Sequence, residues 1–358
     1  MSRRLLVTGG AGFIGANFVH RWLKTRPSER VVVLDKLTYA GNLSSLAPVS
    51  TDARYRFVHG DISDHALTAE LLSAESIDTI VHFAAESHVD RSIDGPTIFL
   101  QTNVLGTHAL LESAREYWAR LSETARGTFR FHHISTDEVF GSLGFDDPAF
   151  NERTPYAPNS PYAASKASSD HLVRAYFRTY GLPVTITNCS NNYGPFQFPE
   201  KLIPLMIVNA LEGRSLPVYG DGLNRRDWLH VNDHLTGIEA VLDRGRVGES
   251  YLIGGGSEVA NNDLVRALCE RIDARFKSDP ALRQRFGDSP AARGDSCTSL
   301  ITSVPDRLGH DRRYAIDDEK IRSELGYCAV HSIEAGLDET IDWYLANESW
   351  WRPLLRHA

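Results

Sequence analysis

The segment that most restricts the fold is a glycine-rich turn near the start of the chain. Residues 8–15 read TGGAGFIG, with glycine at positions 9, 12 and 15. The turn follows an apolar run, RLLVT at 4–8, and opens a helical pattern over 13–25. In this context the glycines permit a tight turn, a close backbone approach to a pyrophosphate and close packing of helix on strand. The pattern predicts a dinucleotide-binding β-α-β unit.

Strands and helices alternate through the first half of the chain. The predicted strands are 4–8, 31–35, 55–60, 79–84, 129–135 and 183–189, and the predicted helices are 13–25, 64–74, 97–119 and 161–180. Such alternation requires right-handed crossovers and gives a parallel sheet covered on both faces. We therefore predict the α/β class, with a Rossmann-type doubly wound parallel sheet.

The second half is less regular and predicts a smaller C-terminal α+β domain. The predicted helices are near 201–212, 232–243, 261–276, 317–325 and 331–346, with strands at LPVYG (216–220) and SYLIG (250–254). A boundary is predicted near NNYGPFQFPE (191–200), since Asn, Gly and Pro favour turns. Residues 1–192 should bind NAD and carry the catalytic groups, and 193–358 should mainly bind substrate, with some chain crossing back. Residues 278–310 are predicted to form a long irregular segment, a type that is often functional.

Composition and charge exclude several classes of protein. The net charge of −8 argues against a nucleic-acid partner. No run of about 18 apolar residues predicts a membrane span, and the N-terminus predicts a strand rather than a signal peptide. The four cysteines, at 189, 269, 297 and 328, have neither metal-ligand nor disulfide spacing. We expect a cytoplasmic protein without a metal site.

Two acidic residues follow predicted strands on the dinucleotide side. Asp35 ends the second strand, and a carboxylate at that place accepts hydrogen bonds from a ribose 2′-hydroxyl and repels a 2′-phosphate. The position therefore favours NAD over NADP. Asp61 follows the third strand and is expected to reach the adenine.

A tyrosine and a lysine share one face of the predicted helix 161–180. Tyr162 and Lys166 are four residues apart, just over one helical turn. An ammonium beside a phenol favours the phenolate, so we predict that the pKa of Tyr162 falls from about 10 towards the working pH, where the tyrosine acts as a general base. Tyr-x-x-x-Lys alone is common on helix surfaces; its significance comes from the neighbouring dinucleotide motif.

An acid pair stands where the predicted fifth strand ends. The stretch HHISTDEVFG places Asp137 and Glu138 directly after Thr136. Two exposed loop carboxylates are the simplest interpretation. The alternative is a site at the carboxyl end of a parallel strand, where ligands bind. Mutual repulsion would raise the pKa of one acid, leaving one group protonated and the other ionised, as the elimination of water requires.

The tyrosine–lysine pair and the glycine turn together resemble the extended branch of the short-chain dehydrogenase/reductase superfamily, which keeps a hydroxyl partner for the tyrosine where Ser135 and Thr136 stand. With the acid pair, the resemblance becomes closest to the nucleotide-sugar 4,6-dehydratases that act on dTDP-glucose. The matching stretches are TGGAGFIG, AAESHVDRSI (84–93), STDEVFG, SPYAASKASSDHLVRAY, TNCSNNYGPFQFPEKLIPL (187–205), LPVYGDG, RDWLHVNDH (226–234) and DRLGHDRRYAID (306–317). Phe140 and Leu308 depart from the family's Tyr and Pro, and 278–300 matches poorly.

The resemblance implies a reaction and roles for five residues. Tyr162, assisted by Lys166, removes the C4 hydroxyl proton of dTDP-glucose while a hydride moves to NAD⁺. Glu138 then removes the C5 proton, Asp137 protonates the departing C6 hydroxyl, the hydride returns to C6, and C5 is reprotonated. Thr136 hydrogen-bonds the C4 oxygen. The product is a 4-keto-6-deoxy nucleotide sugar, an intermediate of deoxysugar biosynthesis.

The resemblance also implies two sets of binding residues and a homodimer. The NAD site is expected to contain Gly9, Gly12, Phe13, Ile14, Gly15, Asp35, Lys36, Leu37, Thr38, Asp61, Ile62, Ala84, Ala85, Thr102, Tyr162, Lys166 and Asn192. The substrate site is expected to contain Ser87, Thr136, Asn191, Lys201, Leu202, Pro217, Val218, Tyr219, Arg226, Asn261, Asp306, Arg307, Leu308, Gly309 and His310. Helices 97–119 and 161–180 are expected to pair across a two-fold axis.

Other interpretations of these residues stay open at this point. Arg226 suits a diphosphate, but it could instead form a salt bridge with Asp227 or Asp233, and Tyr219 could simply pack in a core. His88 and His310 suggest hydrogen bonding rather than metal binding. For the whole chain, the alternatives are a nucleotide-sugar 4-epimerase or decarboxylase on the same scaffold, and a non-catalytic NAD-binding sensor. The acid pair argues against the first, and the intact tyrosine–lysine pair argues against the second.

Overall fold

The computed structural model describes residues 2–356 of the chain. Its strands are β1 (Arg4–Thr8), β2 (Arg30–Asp35), β3 (Tyr55–His59), β4 (Thr79–His82), β5 (Arg130–Thr136), β6 (Val184–Cys189), β7 (Asn191–Tyr193), β8 (Leu216–Tyr219), β9 (Arg225–His230), β10 (Ser250–Ile253), β11 (Glu258–Ala260) and β12 (Ile301–Val304). Its α-helices are α1 (Phe13–Thr25), α2 (His65–Ala74), α3 (Val89–Asp94), α4 (Pro96–Phe99), α5 (Thr107–Arg120), α6 (Glu123–Thr128), α7 (Pro161–Tyr180), α8 (Leu202–Leu211), α9 (Val231–Arg244), α10 (Asn261–Ser278), α11 (Pro280–Arg285), α12 (Glu319–Leu325), α13 (Ile333–Ala346) and α14 (Glu348–Trp351). A π-helical turn (Leu100–Gly106) joins α4 to α5, and 3₁₀ turns cover Leu43–Val49, Asp137–Phe140, Pro290–Arg293, Cys297–Leu300 and Arg352–Arg356.

A seven-stranded parallel sheet forms the centre of the molecule, in the order β10-β6-β5-β4-β1-β2-β3. The direction of winding reverses between β1 and β4, so the carboxyl ends of these strands open a crevice where ligands bind in such sheets. The predicted doubly wound sheet is confirmed. Strand β10 comes from the second half of the chain and pairs with β6, with Ser250 opposite Ile186.

Strands β1, β2 and β4 are buried on both faces, which explains apolar runs such as VVVL in β2. In β2, Val31 and Val33 pack on the side of α1 and α9, whereas Val32 and Leu34 pack on the side of α2, α5 and α7. Side chains alternate between the two faces of a strand. A strand with both faces covered therefore favours apolar residues on both of them, and VVVL in β2 supplies them.

A second core lies in the C-terminal half, between α8, α10 and α13. It contains Trp228, Phe276 and Trp351. The smaller sheets of this half are β11-β9-β7 and β12-β8. Strand β7 pairs with β9 directly after β6 has ended, with Asn191 opposite Trp228, and this pairing joins the two halves close to the carboxyl end of the central sheet.

The prediction for residues 278–310 is wrong. The segment contains α11, two 3₁₀ turns and β12, and it packs Leu282, Phe286, Ala291 and Cys297 into the second core. Its apolar residues are spaced too irregularly to reveal short turns, although each turn buries one or two of them. The strands β7, β9 and β11 were also missed, because two of them have three residues each and β9 begins with two arginines.

Helix α7 has strong signals at both ends, and its bounds match the prediction. The Ser160 hydroxyl accepts a hydrogen bond from the Ala163 backbone N–H, and Pro161 occupies the first helical turn. Gly181 ends the helix with φ +74°, a left-handed conformation that favours glycine. These signals fix the register that places Tyr162 and Lys166 in the first two turns. Across residues 2–356, no helix is long and apolar enough to cross a membrane.

Candidate active site

The glycine turn is shaped for a close approach of the backbone to a ligand. Gly9 has φ +71°, and a Cβ added there would lie 2.5 Å from the Ala84 backbone nitrogen. A Cβ at Gly15 would lie 2.4 Å from the Gly9 carbonyl oxygen, so only glycine lets α1 pack on the turn. Gly12 caps the N-terminus of α1 without a side chain. The first-turn N–H groups of a helix are free to bind a pyrophosphate.

Two backbone N–H groups hold the carboxylate of Asp35. Ala11 donates to Oδ2 at 2.9 Å, and Leu37 donates to Oδ1 at 2.8 Å. Burial raises the pKa of Asp35, and these two hydrogen bonds act in the opposite direction. The carboxylate therefore lies beside the glycine turn, at the place where a ribose would bind. Leu37 reaches its place through a left-handed backbone, with φ +54°.

One deep cavity runs from the glycine turn to the end of β5. Of the predicted NAD residues, those that line it are Gly9, Gly12, Phe13, Ile14, Gly15, Asp35, Lys36, Thr38, Asp61, Ile62, Ala84, Ala85, Thr102, Tyr162, Lys166 and Asn192. Leu37 does not line it and contributes only its backbone N–H to Asp35. Asp61 is bound by the Lys36 ammonium at 2.6 Å. Burial raises the pKa of Asp61, but the contacts with Lys36 and Ser63 outweigh burial and lower it overall.

Tyr162 and Lys166 lie together in this cavity, but the predicted pKa of the tyrosine is wrong for the protein without ligand. Burial, followed by the charge of Glu138, raises the pKa of the phenol well above its usual value. Burial also lowers the pKa of Lys166, whose ammonium donates to the Ile134 carbonyl at 2.8 Å. The spacing of the two residues predicted their proximity correctly, but not the burial that dominates the ionisation of both.

The acid pair is not an exposed loop. Asp137 and Glu138 open a 3₁₀ turn at the end of β5, capped by the Thr136 hydroxyl, which accepts from the Glu138 backbone N–H at 3.3 Å. Asp137 is fully buried, and its Oδ1 accepts from the Thr136 hydroxyl at 3.2 Å. Glu138 is half-buried and lines the cavity beside Thr136 and Tyr162. The simple interpretation of two solvated carboxylates is therefore wrong.

The two acids differ in their electrostatic surroundings. Burial raises the pKa of Asp137 far above its usual range, and the nearby charges of Glu138 and Asp227 raise it further. Burial also raises the pKa of Glu138, but Arg307, Lys201 and Arg226 oppose that rise. A protonated Asp137 beside an ionised Glu138 is the arrangement that these surroundings favour.

Several predicted substrate residues surround Glu138. Lys201 donates to the Ser87 carbonyl at 2.7 Å, and both residues line the cavity, as do Thr136 and Asn191. Arg226 is buried; its guanidinium donates to the carbonyls of Arg225 and Asp311, both at 2.8 Å. No salt bridge joins Arg226 to Asp227 or Asp233 in residues 2–356, which removes the alternative interpretation of this arginine.

A second group of predicted residues forms an outer rim beyond the cavity. The Tyr219 hydroxyl donates to Asp90 at 3.2 Å, and Arg307 contacts the same carboxylate at 3.4 Å. His310 lies 2.6 Å from Asp306, and its ring meets the Tyr219 ring edge-on at 6.0 Å. Tyr219 is exposed rather than packed in a core. The pairing of β12 with β8 brings the run 306–310 to this place.

Most of the predicted substrate residues do not line the cavity. Outside the lining of the cavity lie Leu202, Pro217, Val218, Tyr219, Arg226, Asn261, Asp306, Arg307, Leu308, Gly309 and His310. Leu202 opens α8, directly after the cavity-lining Lys201. Asn261 is buried with its Oδ1 lacking a hydrogen-bond partner among residues 2–356. Leu308 is 76% exposed, so its side chain is accessible to a bound molecule.

Sequence reasoning missed further residues of the site, among them Glu200, Cys189 and Tyr314. Glu200 lines the cavity, and both of its carboxylate oxygens are buried without a hydrogen bond from the described residues. Cys189 ends β6 and also lines it. Tyr314 lies under the Arg226 guanidinium at 4.3 Å, and its hydroxyl donates to Asp311 at 2.5 Å. Glu200 directly precedes Lys201, and that adjacency was the one signal available.

One group of side chains contains the residue types of a metal site, but one of its histidines does not offer a free nitrogen lone pair. His230, His331 and Glu339 offer ligand atoms within 4.8 Å of one another. The Nδ1 atom of His230 accepts a hydrogen bond from the Asn232 backbone N–H, which puts the proton on Nε2 and leaves no lone pair there. The His88 ring accepts from the Arg91 N–H at 3.4 Å, as predicted for a hydrogen-bonding histidine. We assign no metal site to these residues.

Comparisons with known proteins agree with this geometry. A family model described as GDP-mannose 4,6 dehydratase matches residues 6–340. The chain is 55% identical over 350 residues to a dTDP-glucose 4,6-dehydratase of Xanthomonas campestris pv. campestris (strain B100), covering 98% of this chain and 95% of that protein. It is 51% identical to dTDP-glucose 4,6-dehydratase 1 of Escherichia coli (strain K12), covering 97% and 94%.

Among solved structures, the chain resembles DesIV (dTDP-glucose 4,6-dehydratase) from Streptomyces venezuelae, determined with NAD and TYD bound. The TM-score is 0.85 at 50% identity, over 98% of this chain and 99% of that one. The chain belongs to the dTDP-glucose 4,6-dehydratase family. The family predicted from the acid pair and the tyrosine–lysine helix is thus confirmed. A UDP-glucose 4-epimerase from Thermotoga maritima shares the fold, with a TM-score of 0.79, at only 25% identity over 96% of this chain and 99% of that one.

Proposed function

We propose that the protein is a dTDP-glucose 4,6-dehydratase that converts dTDP-glucose to dTDP-4-keto-6-deoxyglucose and water. The observation that carries the proposal is the acid pair: Glu138 lines the dinucleotide cavity beside Tyr162, Asp137 is buried directly before it and outside the lining, and their surroundings separate their pKa values. An elimination of water needs one proton donor and one proton acceptor next to an oxidised carbon. Alcohol oxidation or epimerisation alone needs a base for the hydroxyl proton, such as Tyr162, but no further acid–base pair.

The residues of the cavity fit NAD. The glycine turn leaves no room for a Cβ where the pyrophosphate would lie, and Asp35 faces the ribose position. Lys166 and Tyr162 would hold the nicotinamide end. When bound, NAD supplies a hydride acceptor and donor, and its cationic ring opposes the carboxylates that raise the pKa of Tyr162.

The chain's own residues then handle the protons. Tyr162 removes the proton of the C4 hydroxyl, and the ammonium of Lys166 favours the phenolate. The Thr136 hydroxyl hydrogen-bonds the C4 oxygen and polarises the ketone. The ketone acidifies C5, so Glu138, whose ionised form three cations favour against the effect of burial, removes the C5 proton. Asp137, kept protonated by burial, gives its proton to the leaving C6 hydroxyl.

The substrate is held by charge on one side and by an apolar surface on the other. Lys201 and Arg307 lie near Glu138 and suit the diphosphate, and the planar fork of Arg226 suits it as well. Pro217, Val218 and Tyr219 provide the wall for the thymine ring. The remaining residues of the proposed substrate site are those predicted from the family.

Turnover of dTDP-glucose tests the function. We expect a 4-keto product, detected by its ultraviolet absorbance in alkali, with UDP-glucose as a parallel substrate. Glu138→Gln should still oxidise C4 but should not eliminate water, so reduced cofactor should accumulate on the protein. Glu152→Gln is the matched control, because that carboxylate lies outside the cavity and accepts from the Leu252 N–H. Free turnover by Glu138→Gln would contradict the role of Glu138.

We also propose a homodimer through the helices that flank the cavity. The run from α4 to α5 exposes Ile98, Leu100 and Leu105, and α7 exposes Tyr180 at its end. Large apolar side chains that are exposed on helices of this kind are typical of an interface. Leu105→Glu should convert the dimer to a monomer in light-scattering measurements. A wild-type protein that is monomeric at all concentrations would refute this proposal.

The domain division and the location of the protein are further proposals. We place the boundary between the NAD-binding and the substrate-binding domain after residue 192, with β10 returning to the central sheet. The four cysteines are free, three of them buried, which suits a reducing cytoplasm. Limited proteolysis, with mass analysis of the fragments, tests the boundary.

A further inference from the structure

A buried carboxylate on α7 has no part in the mechanism above. Asp170 is fully buried and lies four residues, one helical turn, after Lys166. Its Oδ2 accepts from the Ser135 hydroxyl at 2.8 Å, from the Tyr156 hydroxyl at 2.8 Å and from the Asn188 amide at 3.2 Å. Removing a carboxylate from water costs several kcal/mol unless it is well paired, so its presence needs an explanation.

The hydrogen bonds of Asp170 connect the elements that carry the proposed catalytic groups. Ser135 directly precedes Thr136 on β5, and the same Asn188 amide also donates to the Thr136 carbonyl at 3.0 Å. Asp170 therefore links α7, which carries Tyr162, to the end of β5, which leads into the acid pair. Its position fixes one part of the site relative to the other.

The hydrogen-bond partners of Asp170 do not neutralise its charge. Ser135, Tyr156 and Asn188 are neutral donors. His133 lies 3.2 Å from Oδ1, but burial lowers the pKa of His133 to about 4, so the ring is neutral at physiological pH. Lys166 is buried as well, and the one hydrogen-bond acceptor found for its ammonium in residues 2–356 is a backbone carbonyl. Asp170 and Lys166 are thus opposite charges one turn apart on α7, and among residues 2–356 neither is in a salt bridge with a group that is charged at physiological pH.

We propose that Asp170 is a positioning residue of the reaction, whose negative charge keeps Lys166 an ammonium beside Tyr162. The inference rests on the proposed dehydratase function and extends it to a residue that touches neither substrate nor cofactor. Without Asp170, the buried lysine would lose its proton at a lower pH, and Tyr162 would lose the cation that favours its phenolate.

The other titratable groups around the pair do not change charge in the alkaline range. His82 and His133 are neutral there, since burial lowers the pKa of both rings. Burial raises the pKa of the Tyr156 phenol and of the Cys189 thiol far above their usual values. Arg174, which donates to the Tyr156 hydroxyl at 2.8 Å, stays charged. Burial also lowers the pKa of Lys201 in the same cavity, so loss of activity at high pH reports on Lys166 and Lys201, and the part that responds to a change of Asp170 reports on Lys166.

The test is the pH profile of C4 oxidation in the NAD-loaded enzyme, followed in single turnover by the appearance of reduced cofactor. Asp170→Asn removes the charge and keeps the shape. The alkaline limb should move to lower pH by about one unit, because a nearby opposite charge contributes shifts of that size or more. The acid limb should move less, since Glu138 and Asp137, rather than Asp170, are the main charges that raise the pKa of Tyr162.

Two further variants separate charge from position. Tyr156→Phe removes a hydrogen bond to Asp170 and keeps its charge, so it should lower the rate without moving the alkaline limb. Asp170→Glu also keeps the charge and should keep the limb near its wild-type position. Asp170→Ser is a second neutral variant, with space for water, in case Asp170→Asn does not fold.

The possible outcomes are distinct. An inactive wild type refutes the proposed function itself. An active wild type with a folded neutral variant whose alkaline limb has not moved refutes the role of Asp170. If neither neutral variant folds, while Asp170→Glu does, the residue is structural and the inference fails too.

Discussion

The glycine turn permits a prediction in which three alanine substitutions separate folding from cofactor binding. At Gly15, an added Cβ would lie 2.4 Å from the Gly9 oxygen and 2.8 Å from the Gly10 Cα, both of which are backbone atoms. At Gly12, the nearest atom would be the same Gly9 oxygen, at 3.3 Å. At Gly127, in α6, no atom lies within 4 Å. The three positions therefore differ in available space.

The expected effects follow from these distances. Gly15→Ala forces the turn away from α1, and overpacking of this kind costs about 1–3 kcal/mol of stability. If the displaced N–H groups of the turn lose a similar amount of binding free energy, NAD binding weakens by about 5- to 150-fold. Gly12→Ala should change the stability of the NAD-free protein little. It should still weaken the binding of NAD, because the added methyl group would occupy the pyrophosphate position. Gly127→Ala should leave binding unchanged and stabilise α6 by up to about 1 kcal/mol.

Two measurements on the NAD-free protein check this pattern. Thermal unfolding gives the stability, and isothermal titration with NAD gives the Kd. The reasoning fails if Gly12→Ala lowers the melting temperature as much as Gly15→Ala does. It also fails if Gly12→Ala binds NAD as tightly as Gly127→Ala, since the turn would then not carry the pyrophosphate.

Three further predictions concern acid stability, the proposed general base and the second core. Burial lowers the pKa of His132 from 6.5 to about 3, so as the pH falls the unfolded chain takes up this proton before the folded protein does. The free energy of unfolding therefore drops by up to about 1.4 kcal/mol per pH unit between 6.5 and about 3. His132→Gln should reduce that slope in urea titrations. Lys201→Met removes a cation that lowers the pKa of Glu138, so the acid limb of product formation should move to higher pH by about one unit, and an unchanged limb would contradict the electrostatic argument. Trp351→Ala removes a fully buried ring whose Nε1 donates to the Tyr344 carbonyl at 2.8 Å, and should cost about 3–5 kcal/mol in denaturant unfolding without changing the KM for substrate.

The sequence predicted the elements whose signals are local and strong. Helix α7 was placed correctly at both ends because Ser160, Pro161 and Gly181 are capping residues that act within one turn. The central strands were found because most of their residues are buried, which gives short runs rich in apolar and β-branched residues. The short strands β7 and β11 were missed, since three residues are stabilised by pairing with distant chain rather than by their own pattern.

The site shows the same division between local and distant causes. Spacing alone brought Tyr162 and Lys166 together, and the family motif located the acid pair. Burial, however, depends on what packs over a residue from elsewhere in the chain. The pKa of Tyr162 was therefore predicted in the wrong direction, and Tyr314, which lies under Arg226 from a different segment, had no local signal at all.

The acid pair shows how two adjacent residues acquire opposite protonation states. Their sequence neighbours are the same, and mutual repulsion alone does not decide which acid holds the proton. The 3₁₀ turn decides it, because it directs Asp137 into the protein, where Oδ2 lacks any partner among residues 2–356, and directs Glu138 into the cavity. There Lys201, Arg226 and Arg307 arrive from three later segments of the chain and favour the ionised form of Glu138, whereas Arg226 also opposes the rise in the pKa of Asp137. The direction of proton flow in the proposed elimination is therefore set by the second half of the chain, although both acids belong to the first.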